Sequence, residues 1–496
     1  MKDNALTEKN RISYVMIYLI LAVAVVFVST IDSSNMFHPT LPQIDSSVFR
    51  YVALVMKNGG VMYRDVFDHK GPVIYLLNYV GMMIDYRNGI WIVEIVSLYI
   101  ATIFTYKAMK RFLKPGLAMA GTLICIFQIY PFNQYGGNYV EEYAFPFITC
   151  SLYIFVQYFQ DNRTTPFKLA ACGFCFMAVL LLRPNMIGTW IVFAITVLGN
   201  EIRQKSKKWI AYILWFLLGA LVPLVPILIY LKLNGALHDF VEQYMIFNVS
   251  YTGDMRSNQL QAMMHFLSMG IVVVSLMILV VALFVEEKKE PLTVIWLIYI
   301  VVSIPLIAIS GREFEHYGFL LVPLCTYPIA RLIRFLSDRD GGKKYLWLVL
   351  GITIALLAYP YNHTIKQFRM TGTVDESMDG IIASFIKDHT DPEDTIIVSG
   401  TRDVVYFLSE RLSASKYSYQ SPIGEIVPTI YYKTMEDVAE NKPVFIVLFT
   451  DEMNGKVFVK EINERLTEYA KGNGYTKQAE IYPFIVYWKK PDSEKL

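Results

Sequence analysis

Charge is scarce in this sequence. Charged residues are 18% of the 496, hydrophobic residues are 54%, and the mean hydropathy is positive. That balance excludes an ordinary soluble domain of this length. The net charge is only +2, too weak a field to gather a nucleic acid. Cysteine is also rare. The five are Cys125, Cys150, Cys172, Cys175 and Cys325, and all fall inside apolar runs. Cys172 and Cys175 form a Cys-x-x-Cys, but redox or metal chemistry needs an accessible thiolate, so they read as helix-packing residues. A glycine-rich nucleotide fingerprint, internal repeats and low-complexity stretches are also missing.

What the chain does have is long apolar runs. Twelve lie near residues 12–30, 72–86, 90–106, 116–131, 143–159, 167–182, 185–200, 209–231, 266–285, 291–309, 317–336 and 345–361. Runs of this kind are membrane-span candidates. The first follows Lys9 and Arg11 and has no small-residue cleavage site, so it reads as an uncleaved span. Positive clusters face the cytoplasm, and four stand out: Lys107–Lys114, Arg203–Lys208, Lys288/Lys289 and Arg331–Lys344. With the N-terminus inside, the 30–71 loop is outside, so a single crossing must separate it from Lys107–Lys114. Two runs lie between them. Pro72–Tyr86 is the weaker, because about fifteen residues at 1.5 Å each fall short of a roughly 30 Å core. It reads as a juxtamembrane or re-entrant helix, or as part of one bent span.

About eleven crossings then satisfy every positive loop. They place 31–89, 131–142, 232–263, 310–316 and 362–496 outside. The expected fold is a polytopic α-helical membrane protein: a transmembrane domain over 1–362, with first outside loop 31–71, and an extracytoplasmic α/β domain over 363–496. In that tail, strand-like Thr395–Val398, Val444–Leu448 and Phe484–Trp488 alternate with helical patterns near 376–390 and 456–472. Thr401-Arg402-Asp403 reads as helix capping in preference to an anion site.

The loops placed outside carry a distinct set of ionisable groups. Asp45 follows the first span. Arg64, Asp68, His69 and Lys70 lie in Tyr63-Arg64-Asp65-Val66-Phe67-Asp68-His69-Lys70-Gly71-Pro72. Glu141 and Glu142 precede a span, Arg183 sits between two, and Arg312, His316 and Tyr317 lie in Gly311-Arg312-Glu313-Phe314-Glu315-His316-Tyr317. Taken singly, each has a structural explanation such as snorkelling or helix capping. Together on one side they predict a common rim, because charge near a membrane is expensive and tends to be functional. A carboxylate there can take a proton from an acceptor hydroxyl, and cations can neutralise a phosphate leaving group. A sugar donor on that face is best carried by a lipid phosphate.

The acidic residue after the first span, followed by Tyr-x-Asp-x-Phe-Asp-His-Lys-Gly-Pro, resembles the GT-C membrane glycosyltransferases. The pattern is similar to bacterial relatives of the dolichyl-phosphate-mannose protein mannosyltransferases and of the aminoarabinose transferases. The resemblance extends to Asn138–Phe147, Leu182-Arg183-Pro184, Arg312–Pro323 and the tail. It implies an inverting transferase in a bacterial cell membrane. The donor would be a polyprenyl-phosphate sugar and the acceptor a cell-envelope glycan, lipid-linked saccharide, teichoic-type polymer or protein. It implies Asp45 as general base, Lys70 with His69 on the donor phosphate, and Glu141 or Glu142 as second acid. It also implies Arg312, His316 and Tyr317 near the donor. Two positions depart from the pattern: Ser46 stands where many members have a second acid, and Gly71-Pro72 replaces Pro-Pro. The first removes the acidic pair that would hold a divalent metal, so a metal is compatible with this reading but not required.

Three other readings have less support. A cytoplasmic nucleotide-sugar enzyme rests only on Asp338-Arg339-Asp340. A transporter or lipid-glycan flippase calls for repeats and mid-membrane charges. A scaffold presenting the tail leaves the first loop unused. The amphipathic stretch inside Lys232–Met264 reads either as a helix lying on the bilayer or as a plain linker.

Overall fold

The computed structural model describes residues 2–129, 132, 136–253, 258–285, 290–338, 351, 372–450 and 459–489. The expected run at 345–361, the Lys288/Lys289 cluster, residues 339–344 of the last positive cluster and the domain boundary at 362/363 lie outside the described residues.

The first two-thirds is helical. The elements are α1 (Lys2–Val28), α2 (Ile44–Lys57), α3 (Pro72–Ile84), α4 (Gly89–Met109), α5 (Pro115–Phe127), α6 (Val140–Asp161), α7 (Pro166–Leu180), α8 (Gly188–Arg203) and α9 (Lys208–Leu233). After these come α10 (Leu237–Phe240), a π-turn (Val241–Ile246), α11 (Phe247–Gly253), α12 (Gln259–Ser268), α13 (Gly270–Val285), α14 (Pro291–Ile307) and α15 (Val322–Ser337). Several boundaries follow from sequence chemistry. α3, α5, α7 and α14 each open on proline, whose fixed φ suits the first helical position and whose missing N–H has no partner there anyway.

Five described helical segments are long and apolar enough to cross a membrane: Ser13–Ile31, Gly89–Met109, Lys208–Leu233, Pro291–Ser310 and Glu315–Ser337. A sixth is added if α12 and α13, bent by 68°, form one broken span. Fewer described helices therefore meet that standard than the apolar runs suggested. Loop residues shorten several of the runs, as in the 13-residue α5 and the 15-residue α7. α3, with 13 residues, is also too short to span straight, which matches the weak run at Pro72–Tyr86.

Small residues bring α7 and α9 together. A Cβ on Gly173 would sit 1.8 Å from the Phe216 carbonyl oxygen, and one on Gly219 would sit 1.9 Å from that of Ala170. Cys172 and Cys175 are buried in this packing, as their apolar setting suggests.

Beyond residue 372 the chain forms a five-stranded sheet of order β2-β1-β3-β5-β4, built from β1 (Thr395–Val398), β2 (Leu412–Ser413), β3 (Phe445–Phe449), β4 (Thr476–Ile481) and β5 (Phe484–Trp488). β1 runs parallel to β2 and β3, while β5 is antiparallel to β3 and β4. Helices Met378–Asp388, Thr429–Asn441 and Lys460–Gly472 accompany it. β1, β3 and β5 are the three strands legible in the sequence. They carry most of the buried β-branched and aromatic side chains. β2 has two residues and β4 is a largely exposed edge, so neither leaves an apolar signature.

This C-terminal unit docks directly on the first loop and its flanking helices. Tyr86 stacks on Phe407 at 4.8 Å, Tyr51 packs on Tyr406 at 4.9 Å, and Arg87 pairs with Asp375 at 3.0 Å.

Candidate active site

The site is built on the loop joining α2 to α3. Asp65 closes its first turn by accepting the Val61 N–H at 2.8 Å, and Arg64 holds that carboxyl below its ordinary value. Further along, the Tyr63 hydroxyl donates to the Lys70 carbonyl at 2.8 Å, and the Lys70 N–H donates to the Tyr75 oxygen at 3.2 Å. Gly71 lies flat on the end of α7. Its N–H donates to the Leu182 carbonyl at 3.2 Å, and a Cβ would stand 1.9 Å from the Leu181 oxygen. Proline here would lose that bond and meet that oxygen, so the departure from Pro-Pro has a physical reason.

The loop presents Asp68, His69 and Lys70 in sequence. Asp68 is buried and accepts from Tyr75 at 2.6 Å and from Tyr419 at 2.8 Å, one hydroxyl on each oxygen. Burial pushes its carboxyl up, while the Lys70 charge and the two hydroxyls pull it down. Burial, together with the charges of Lys70 and Arg183, pushes His69 well below its ordinary value, so it is neutral. Its Nε2 lies 3.3 Å from the Lys70 ammonium. An ammonium only donates, so Nε2 carries the lone pair and Nδ1 the proton. Burial alone would lower Lys70. Asp45 and Asp68 outweigh it and hold the ammonium above its ordinary value, hence charged.

Across from Lys70 stands Arg183, in the turn between α7 and α8. It donates to Glu141 at 2.7 Å and to the Tyr317 hydroxyl at 2.6 Å, and its guanidinium lies 4.3 Å from the Tyr317 ring centre. Glu141 is 2% exposed and Arg183 18%, so the ion pair is largely buried, with its acid fully so. His316 stacks on Tyr139 at 4.6 Å and meets the Tyr317 ring edge-on at 4.9 Å. Asp45, half-buried in the first turn of α2, interacts electrostatically with Lys70 and His316. The neighbouring Ser46 is buried and accepts from the Asn138 amide at 2.9 Å. That amide also donates to Asn78 at 2.8 Å, so a second acid at position 46 would point into a buried amide cluster.

Asp45, Asp68, His69, Lys70, Glu141, Arg183, His316 and Tyr317 thus meet at one place. Three expected residues sit differently. Glu142 turns away and accepts the Tyr139 N–H at 2.8 Å. Arg64 is exposed and bonds Asp65 and the Asn234 carbonyl. Arg312 lies over the Phe314 ring, which itself packs on His316 and Tyr317, so it stands one ring back. Sequence reasoning missed Tyr75, Tyr139 and Tyr419. An aromatic hydroxyl in a chain with 34 tyrosines gives no local signal.

Glu142 belongs to a second group with Asp32 and Glu94, whose oxygens lie within 4.8 Å of one another. Such hard oxygen ligands suit a divalent cation. Protein donors already serve them: Glu94 accepts from the Ser34 hydroxyl at 3.1 Å and from the Asn138 N–H, and the buried Arg50 cation is near.

The inner face of the 237–253 segment braces the loop. Gln243 bonds Tyr63 and Asp68 through their backbone, and Asn248 donates to the His69 carbonyl at 2.7 Å. Its opposite face exposes Met245, Ile246 and Val249. The segment is therefore amphipathic, as its sequence suggests.

The fold is similar to that of solved GT-C glycosyltransferases. The aminoarabinose transferase ArnT from Cupriavidus metallidurans, bound to undecaprenyl phosphate, superposes with a TM-score of 0.58 at 11% identity, covering 96% of this chain and 98% of that one. Its apo form gives 0.56 at 12% identity, with the same coverage. The Archaeoglobus fulgidus oligosaccharyltransferase tethered to an acceptor peptide gives 0.50 at 10% identity, covering 95% and 74%. No curated protein sequence matches the chain. A family model does match, over residues 6–332. The chain therefore belongs to the family described as "Putative competence-induced protein Ccs4 N-terminal domain".

Proposed function

We propose that this protein is an extracytoplasmic membrane glycosyltransferase that moves a sugar from a polyprenyl-phosphate donor to a cell-envelope acceptor. One observation carries the reading. Residues from five separate stretches (Asp45; Asp68, His69 and Lys70; Glu141; Arg183; His316 and Tyr317) converge on one centre in a GT-C fold. The acceptor is a glycan, lipid-linked saccharide, teichoic-type polymer or protein.

In this mechanism Asp45 takes the proton from the acceptor hydroxyl as that oxygen attacks the anomeric carbon. The bond from that carbon to the phosphate oxygen breaks, with inversion. Lys70 and Arg183 neutralise the departing lipid phosphate, whose charge grows through the transition state. Glu141 and Tyr317 fix the guanidinium plane of Arg183. Asp32, Glu94 and Glu142 are the residues that would hold a divalent cation, whose charge would offset their own. No step runs through such an ion. The exposed face of the 237–253 segment lies on the bilayer beside the donor's lateral path.

The test supplies purified protein in lipid nanodiscs with polyprenyl-phosphate sugars or with nucleotide sugars. Turnover is expected only with the lipid-linked donor, and Asp45→Asn should lower it by at least about a hundredfold. Turnover of nucleotide sugars alone, or full activity in Asp45→Asn, overturns the reading.

A further inference from the structure

We propose that the C-terminal unit completes the donor site, with Tyr419 as a positioning residue that fixes Lys70 through Asp68 and His69. This rests on the reading of Lys70 as the donor-phosphate cation. Tyr419 lies 351 positions beyond Asp68 in sequence, yet its hydroxyl donates to Asp68 Oδ1 at 2.8 Å and is itself buried. Asp68 Oδ1 faces His69 Nδ1 at 3.6 Å, and His69 Nε2 faces the Lys70 ammonium at 3.3 Å. The four groups form a line from the sheet domain to the cation. Each link constrains the next. Lys70 has only donors, so His69 must keep its proton on Nδ1, toward Asp68. The opposite tautomer would aim an N–H at an ammonium. Asp68 selects the tautomer, and the two tyrosine hydroxyls fix the plane of Asp68. Tyr75 holds only Oδ2, so of the two tyrosines it is Tyr419 that holds the oxygen facing His69.

The segment bearing Tyr419 is built to reach this point. The Ser413 N–H donates to the Tyr51 hydroxyl at 2.8 Å, the Phe67 N–H donates to the Lys416 carbonyl at 2.9 Å, and Lys416 pairs with Asp239 at 2.6 Å. Phe67 packs between Tyr417 and Tyr419, at 5.3 and 6.1 Å. Gln420 ties the segment back to its own domain by accepting the Gly400 N–H at 3.1 Å. A tyrosine placed for docking alone could have used any of these surfaces. This one spends its hydroxyl on the carboxylate behind the phosphate-binding lysine.

The experiment measures undecaprenyl phosphate binding to the full chain in nanodiscs, with the active fraction scored separately from the Kd of that lipid phosphate. Lys70→Ala, Tyr419→Phe and Lys416→Ala are compared with the unmodified protein. Tyr419→Phe should raise Kd about tenfold with the active fraction unchanged, since it removes one hydrogen bond to a charged group. Lys416→Ala, which removes only a docking ion pair, should stay within about twofold. An unchanged Kd in Tyr419→Phe alongside a weakened Lys70→Ala overturns the positioning role alone. Equal losses in Tyr419→Phe and Lys416→Ala reduce Tyr419 to docking and also overturn it. Unchanged binding in Lys70→Ala overturns the donor-phosphate reading itself. If Tyr419→Phe does not fold, Asp68→Asn replaces it. The same loss is expected there, and unaltered binding refutes the line of contacts.

Discussion

Asp403 should make the stability of the C-terminal unit depend on pH. It opens the short helix Asp403–Ser409, is fully buried, and accepts the Ser418 hydroxyl at 2.5 Å, while its Oδ2 has no hydrogen-bond partner. Burial pushes the carboxyl up to about 7, and the Asp68 charge adds to the shift while the Ser418 hydroxyl opposes it. On unfolding it returns to the ordinary value near 3.8. Between those values the folded chain keeps a proton that the unfolded chain has lost. Its stabilising effect is therefore complete below about pH 4 and is lost as pH rises through 7. About three pK units set a ceiling of roughly 4 kcal/mol, and partial relaxation of the charged form brings the expected effect to about 2–4 kcal/mol. Asp403→Asn is neutral at every pH and can still accept from Ser418. At pH 8.5 the variant should be the more stable protein by that amount, and at pH 4 the two should agree to within about 1 kcal/mol. Hydrogen exchange over residues 395–420, corrected for the intrinsic rate, reads this locally. Protection that falls in parallel for both proteins across that range refutes the argument.

Gly71→Ala should disrupt the site more than its size implies. Its methyl would meet the Leu181 carbonyl, so a loss of about 2–3 kcal/mol is expected, read as a lowered midpoint in thermal unfolding. Glu141→Ala leaves the largely buried Arg183 bonded only to Tyr317 and costs about 3 kcal/mol. Turnover should fall while the protein still inserts, and undiminished turnover would show that the pair does not orient the cation.

Much of the site was legible because its chemistry is local in sequence. The run Asp68-His69-Lys70-Gly71-Pro72 is one loop, and a proline starts the helix that ends it. Asp45 and Arg183 stand out as polar residues beside apolar runs. Glu141 and Glu142 could not be separated in that way. Neighbours on a helix point about 100° apart, so one turns to Arg183 and the other to Asp32 and Glu94. Only packing reveals which is which. The number of spans was less legible for a related reason. Hydropathy registers apolar loop and buried residues alike, while crossing needs helix length.

The sequence alone determined the membrane-helical class, the α/β tail, the Gly71 anomaly and most of the charged centre. These follow from composition, periodicity and short-range spacing. Tertiary structure alone decided that Glu141 is the acid at the centre, that Ser46 faces a buried amide cluster, and that Tyr419 reaches Asp68 from the far end of the chain. Contacts across hundreds of residues depend on how helices and sheet dock, and a hydroxyl or a helix face carries no mark in one dimension of where it will point in three.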